Sequence, residues 1–389
     1  MIVREAISAA RNLLSGNYVL SIIGPRQAGK TTLARLLAPT KPYVSLEEPD
    51  VREHARSDPR GFLAGFPDGA VLDEIQRCPD LLSYLQVIVD RERRTGGWII
   101  TGSNQFALQH TAAQTLAGRV GQLTLLPLAW SEIQTTATAP VSWEAAVARS
   151  AFPPLFDRAL EPAAWLRDYV ATYVERDVRL ALNIQNLAAF QRFLALCAGR
   201  TGQLLNLAAL AADTGIDQRT ARTWLTVLEL SFLVVLLPPF FRNRNKRLVK
   251  TPKLYFADAG LAAWLLGVRE AAQLRTHPLR GALCETWVVA ELLKAAHNAG
   301  RQPALSFYRT RDGAEVDIVA ETARGCVAIE VKSGATVGSD FFAGFEPLKA
   351  DLGDELVECR LIYGGERSER RPEAIVSPWH QIGEVAAVL

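Results

Sequence analysis

Residues Gly24 to Thr31 read Gly-Pro-Arg-Gln-Ala-Gly-Lys-Thr, a complete match to the phosphate-binding pattern G-x-x-x-x-G-K-[ST]. The run before it, Tyr18 to Ile23, is short, apolar and rich in β-branched residues, which predicts a strand. Leu33, Leu36 and Leu37 after it recur at helical spacing. Strand, glycine loop and helix in that order are the context in which such a loop wraps phosphate oxygens with backbone N–H groups and adds the positive end of the helix. Gly24, Pro25, Arg26, Gln27, Ala28, Gly29, Lys30, Thr31 and Thr32 are therefore the candidate nucleotide ligands. Lys30 is expected to reach the β- and γ-phosphates of ATP, and Thr31 to offer its hydroxyl to Mg²⁺.

A second motif supports the first. Ala70-Val71-Leu72-Asp73-Glu74 is an apolar strand ending in two carboxylates, preceded by the turn-like Phe66-Pro67-Asp68-Gly69. Asp73 is expected to hold the Mg²⁺ water shell. Glu74, placed on the opposite side of the pleat, is expected to polarise the attacking water. A third strand, Gly97 to Asn104, ends in small and amide residues, so Asn104, or Ser103 beside it, is the candidate γ-phosphate sensor. Arg119, after Ala117-Gly118, is the candidate guanidinium for transition-state charge, either in its own subunit or across an interface in a homo-oligomer. Arg77 is its rival.

The chain has 389 residues, more than one hydrophobic core usually supports, so several domains are expected. With 49% hydrophobic and 22% charged residues it reads as globular. A net charge of +2 excludes a chain that is basic throughout but allows a local basic patch. Five scattered cysteines without a Cys-x-x-Cys pair give neither a disulfide framework nor a zinc site. The first residues carry charge and lack an apolar export core, and the longest apolar run, Phe232 to Phe241, holds Pro238-Pro239. A cytoplasmic protein with no membrane partner is the expectation.

Strands alternate with helical segments up to about Leu128, which predicts an α/β fold with a parallel sheet covered by helices. The first domain is placed at residues 1–134, with a Thr-, Ala- and Pro-rich connection after it and a helical lid or linker over 135–200. Residues 201–260 then read as helix, tight turn, helix and strand. Leu204, Leu207 and Leu210 line one helix, Thr214-Gly215-Ile216-Asp217 makes the turn, and Trp224, Leu225 and Leu228 face inward from the second helix. Arg219 and Arg222 share the outer face of that second helix. The basic run Arg242 to Arg247, holding Arg244, Lys246 and Arg247, continues to Lys250 and Lys253, where the wing of such a module would lie. Together these cations make DNA a candidate partner.

Residues 261–389 carry a separate constellation. Glu285 lies on a helical run, Asp317 in Ala314 to Val319, and Glu330-Val331-Lys332 in Cys326 to Ser333. Strand alternation puts Val316 and Ile318 on one side with Asp317 on the other, and sets Glu330 and Lys332 together opposite Ile329 and Val331. On neighbouring strands, Asp317 and Glu330 would bind Mg²⁺ while Lys332 positions water or neutralises phosphate charge.

The segments GPRQAGKTTLA, VLDEIQR, IITGSNQF, LAGRV, LLPLAWSEI, KRLVKTPKLYFADAGLAAWLLG, GALCETWVVAELL, YRTRDGAEVDIV and IEVKSG give the chain, over almost its full length, a resemblance to the bacterial and archaeal AAA-type ATPases that carry a C-terminal domain of unknown function. The resemblance implies a P-loop NTPase domain, a winged-helix module and a C-terminal core similar to restriction endonucleases of the PD-(D/E)xK type. It implies Lys30 and Thr31 as nucleotide ligands and Asp73 and Glu74 as metal and water residues. Glu285, Asp317, Glu330 and Lys332 are implied as the nuclease-like site. The expected function is an ATP hydrolase acting on or regulated by nucleic acid; the alternative is an ATP-dependent switch for a protein partner, with a catalytically silent nuclease-like core.

Overall fold

In the computed structural model, residues 2–103, 116–158, 160–174, 186–240 and 250–389 are described. The chain divides into two compact units: residues 1–128 with 230–232 and 297–301, and residues 129–229 with 233–296 and 302–389. Among the described residues, no helix is long and apolar enough to cross a membrane.

The first unit is built on a five-stranded parallel sheet of β1 (Val19–Ile23), β2 (Tyr43–Ser45), β3 (Val71–Asp73), β4 (Trp98–Gly102) and β5 (Val120–Thr124), in the order β2-β3-β4-β1-β5. All five residues of β1 are buried because both faces are covered. Val19 and Ile23 pack with Leu72, Ile100, Leu81 and Leu85 on one face, and Leu20 and Ile22 with Leu33, Ala34, Ile99 and Leu123 on the other. Helix α1 (Ile7–Gly16) and helix α2 (Lys30–Leu37) lie on the second of these faces, where Ala10, Leu33 and Ala34 are buried. Leu36, counted in the helical pattern, is instead 42% exposed. The chain leaves β1 for β2, two strands beyond its neighbour β4, while β5 pairs on the other side. The loop after β1 thus opens at the point where the strand order reverses, the usual place for a ligand in such sheets.

The second unit begins six residues earlier than the boundary read from sequence, at Ala129, and packing explains the shift. The Trp130 ring lies 4.8 Å from that of Trp379 and 6.2 Å from that of Trp287, and its backbone N–H donates to Glu291 Oε2 at 2.6 Å. Helices Leu207–Thr214 and Gln218–Leu230 are joined by a turn in which Gly215 takes φ +79°. Asp217 then accepts from the Thr220 amide at 2.9 Å. A three-stranded antiparallel sheet follows, ordered β6 (Gln203–Leu204), β8 (Lys253–Phe256) and β7 (Val234–Leu237). Within the helical stretch expected over 135–200, residues Pro162–Tyr169 are α-helical and Val170–Val174 form a π turn, while residues 175–185 lie outside the described residues.

The C-terminal sheet has six strands ordered β13-β14-β12-β11-β10-β9, with β9 (Leu305–Arg309), β10 (Glu315–Thr322) and β11 (Gly325–Lys332) antiparallel. Strands β12 (Leu356–Tyr363) and β14 (Ile375–Pro378) continue parallel from β11, and β13 (Glu369–Arg370) closes the edge. Ile318 stands opposite Ile329, which sets Asp317 against Glu330. The register of β10 against β9 shifts between Val316 and Val319, next to Asp317.

Candidate functional site

The loop between β1 and α2 is shaped by two glycines. Gly24 takes φ +152°, and a Cβ there would meet the Leu125 carbonyl oxygen at 2.0 Å; Gly29, the residue before the helix, takes φ +89° in the left-handed region. Arg4, from outside the motif, holds the loop from beneath. One guanidinium nitrogen donates to the Ala28 carbonyl at 2.7 Å and another to the Leu126 carbonyl at 2.8 Å. The Lys30 ammonium donates to the Gly24 and Pro25 carbonyls at 3.0 and 2.8 Å, so it lies folded over the cradle it would share with a phosphate. Thr31 and Thr32 lie in the first turn of α2, where a helix supplies the backbone amides no carbonyl and leaves them available to a phosphate.

At the ends of β3 and β4 the second motif closes on the first. Thr31 Oγ1 donates to Asp73 at 3.0 Å from Oδ2 and 3.1 Å from Oδ1. Asp73 also accepts from Tyr43 Oη at 2.6 Å and from the Thr101 hydroxyl. A hydroxyl and a carboxylate side by side, both hard oxygen donors, fit a divalent ion such as Mg²⁺. Strand β3 stops at Asp73. Glu74 does not continue the pleat as expected but takes φ +56°, ψ +47°, a left-handed conformation costing a residue with a Cβ about 1 kcal/mol. Such strain persists where surrounding contacts enforce it, often at functional sites. Here the Glu74 amide donates to Thr101 Oγ1 at 3.2 Å, and the Glu74 carboxylate accepts from Ser103 Oγ at 3.0 Å and from Gln76.

Ser103 is thus the third-strand residue that bonds to the Glu74 carboxylate. Asn104, the first-named sensor, lies outside the described residues. Arg119 does not fit a role beside the loop of its own subunit. It precedes β5, whose Val120 pairs with Val19 at the start of β1, whereas the loop leaves the far end at Ile23. Five strand residues put roughly 15 Å between them, and Arg119 pairs with Asp90 instead. Its rival, Arg77, lies 3.7 Å from Glu47, which Arg26 approaches at 3.4 Å. Tyr43 and Arg4 are residues of this site that pattern reading missed. Neither sits in a motif, and only strand order brings Tyr43 to Asp73.

The C-terminal carboxylates also meet, with an addition. Val331 N donates to Asp317 Oδ2 at 2.9 Å, and Lys332 pairs with Glu330 Oε1 at 2.5 Å. Lys253, expected on a solvated wing, is only 2% exposed and has its ammonium inside the cluster, 2.9 Å from Glu285 and 2.5 Å from Glu315. Tyr255 donates to Glu285. Burial, and then Asp317, raise the Glu285 carboxyl to about 7 and the Glu330 carboxyl to about 8; Asp317 is raised by burial as well. Among the described residues, no group of three or more His, Cys, Asp or Glu side chains is disposed to hold a metal ion.

These shifts have a sign. A carboxyl whose folded pKa lies above its unfolded value of 4.5 binds more protons when folded, so its stabilising contribution is present below pH 4.5 and is lost as pH rises through about 8. The second unit is expected to lose thermal stability steadily between about pH 5 and 8, and Glu330→Gln to flatten that slope. Melting curves of both proteins across this window check it; an unchanged slope in the variant would show that Glu330 does not titrate there.

The parallel sheet, its glycine loop and the paired Thr31 and Asp73 define a P-loop ATPase domain of the AAA type. Residues 16–134 match the family model described as AAA domain; 141–272 and 280–382 match those described as Domain of unknown function (DUF8612) and Domain of unknown function (DUF4143). The chain belongs to the same family as the uncharacterized protein Rv2008c of Mycobacterium tuberculosis and the uncharacterized protein Mb2031c of Mycobacterium bovis. It is 32% identical to each over 379 residues, covering 96% of this chain and 82% of theirs. Among solved structures, the Walker-type ATPase PABY2304 of Pyrococcus abyssi aligns at 15% identity over 67% of this chain and 94% of that one, with a TM-score of 0.45.

Proposed function

We propose that the protein is a Mg²⁺-dependent ATP hydrolase that acts on, or is regulated by, nucleic acid. The observation that carries the ATPase reading is the Thr31 hydroxyl within 3.1 Å of Asp73, with Glu74 turned out beside it and held by Ser103. In this reading Thr31 and Asp73 hold the ion, which neutralises phosphate charge when bound. Lys30 leaves the Gly24 and Pro25 carbonyls to meet the phosphate oxygens, and Glu74 takes the proton of the attacking water. Ser103 orients that carboxylate, and Asn104 is the proposed γ-phosphate sensor. Arg119 belongs to a subunit interface in this scheme, supplying its guanidinium to a neighbouring site.

The nucleic-acid part rests on Arg219 and Arg222, both exposed on the outer face of helix Gln218–Leu230, read as the recognition helix of a winged-helix module. Arg244, Lys246 and Arg247 of the proposed wing lie outside the described residues. Steady-state ATP turnover with and without DNA tests it. Stimulation is expected, and so is a uniform loss of DNA affinity across sequences when these five cations are replaced by Glu. The salt slope should fall by about 0.9 for each phosphate contact removed. Turnover indifferent to DNA, with retention on DNA unaltered in the variant, would reject this part.

For the C-terminal sheet, the nuclease reading has Asp317, Glu330 and Glu285 holding Mg²⁺ and Lys332 positioning water. One observation favours a second reading, an ATP-dependent switch for a protein partner with a silent nuclease-like core: the Lys253 ammonium already stands among the carboxylates.

A further inference from the structure

Lys253 is the first residue of β8 in the three-stranded sheet, yet its side chain ends at the C-terminal sheet. Its Nζ lies 2.9 Å from Glu285 Oε1, 2.5 Å from Glu315 Oε1 and 3.9 Å from Asp317 Oδ1, and 5.5 Å from the centre of the Phe307 ring. We infer that this ammonium, and not a divalent metal, is the resident cation of the carboxylate cluster. The helix-turn-helix sheet and the C-terminal sheet are thereby locked together by an internal ion pair at the place where a nuclease would hold its metal.

Position argues for it first. A divalent ion bridging Glu285 and Asp317 needs oxygens at about 2.0–2.6 Å, and the Lys253 ammonium is already within ion-pair reach of both carboxylates. Two cations sharing that buried space would repel strongly. Charge argues for it second. Glu285, Glu315, Asp317 and Glu330 face Lys253, Lys332 and Arg309, the last 3.0 Å from Glu315, so four carboxylates meet three fixed cations. A divalent ion added beside Lys253 would overshoot that single negative excess and leave the cluster positive. Lys332, tied to Glu330, and Tyr255, tied to Glu285, add two further internal hydrogen bonds to the set.

The inference deepens the silent-core reading and is independent of ATP turnover. It is tested by titrating Mn²⁺ alone into the full-length, nucleotide-free protein and following free Mn²⁺ by electron paramagnetic resonance. The native chain and Asp317→Asn are expected to bind Mn²⁺ identically. Lys253→Met is expected to gain one site, about tenfold or more tighter than anything in the native chain, and Lys253→Met with Asp317→Asn to lose it again. A native site that Asp317→Asn removes would overturn the inference, as would a folded Lys253→Met without a new site. If Lys253→Met does not fold, the native chain against Asp317→Asn decides alone: equal binding supports the inference and lost binding overturns it. Supercoiled DNA with Mn²⁺ separates the two readings. Native metal capture without nicking would overturn this inference and leave the core silent, while nicking abolished in Asp317→Asn would overturn both.

Discussion

Glu74→Gln is expected to bind ATP as the native chain does and to hydrolyse it about 10²–10⁴ times more slowly, read as phosphate release at saturating ATP and Mg²⁺. The amide keeps the size of the side chain and can still bond to Ser103 and Gln76, but it cannot accept a proton from water. The contact that holds the left-handed turn at Glu74, the bond its backbone N–H donates to the Thr101 hydroxyl, survives the substitution. A loss in turnover without a loss in binding therefore isolates the chemical step. Turnover within a few-fold of native would remove Glu74 from the mechanism. A protein that merely holds nucleotide as part of an oligomer would show no difference, having no turnover to lose.

Lys30→Ala is expected to fail earlier, at binding. The ammonium is a buried cation whose partners, the Gly24 and Pro25 carbonyls, belong to the loop itself. Exchanging them for phosphate oxygens gives charge-assisted bonds of about 1.5–3 kcal/mol each. Losing two such bonds corresponds to a weakening on the order of 10²-fold or more, measurable with a fluorescent ATP analogue, and to ATP turnover at background. A variant that hydrolyses ATP at the native rate would mean that the nucleotide lies elsewhere, whatever the loop's pattern.

The geometry of the glycine loop and its neighbouring carboxylates was largely legible because its logic is local. Gly24 to Thr31, the strand before them and the helix after them are contiguous, and Asp73-Glu74 announce themselves as carboxylates closing an apolar run. Alternation likewise put Asp317 beside Glu330 and Lys332 once the two strands were taken as neighbours, as their register bears out. What was not legible shares a cause. Lys253 was grouped with the basic run before it because charge patterning sees neighbours in sequence, while its surroundings come from Glu285 and Glu315, 32 and 62 positions further on. Arg119 follows a glycine near the third strand, and nothing local says which end of the sheet it occupies.

What this sequence determined by itself is the set of pieces and their chemistry: a strand–loop–helix with glycines where a Cβ has no room, apolar runs for a sheet covered on both faces, and carboxylates at strand ends. These follow from short-range sterics and from side-chain period, which a few consecutive residues suffice to specify. Tertiary structure alone decided the order β2-β3-β4-β1-β5, and with it the meeting of Tyr43, Thr31 and Asp73 and the distance of Arg119 from the loop. It alone put the Lys253 ammonium among three carboxylates. Such pairings depend on which strands lie side by side, and that is settled by the burial of whole faces against one another rather than by any stretch of chain taken separately.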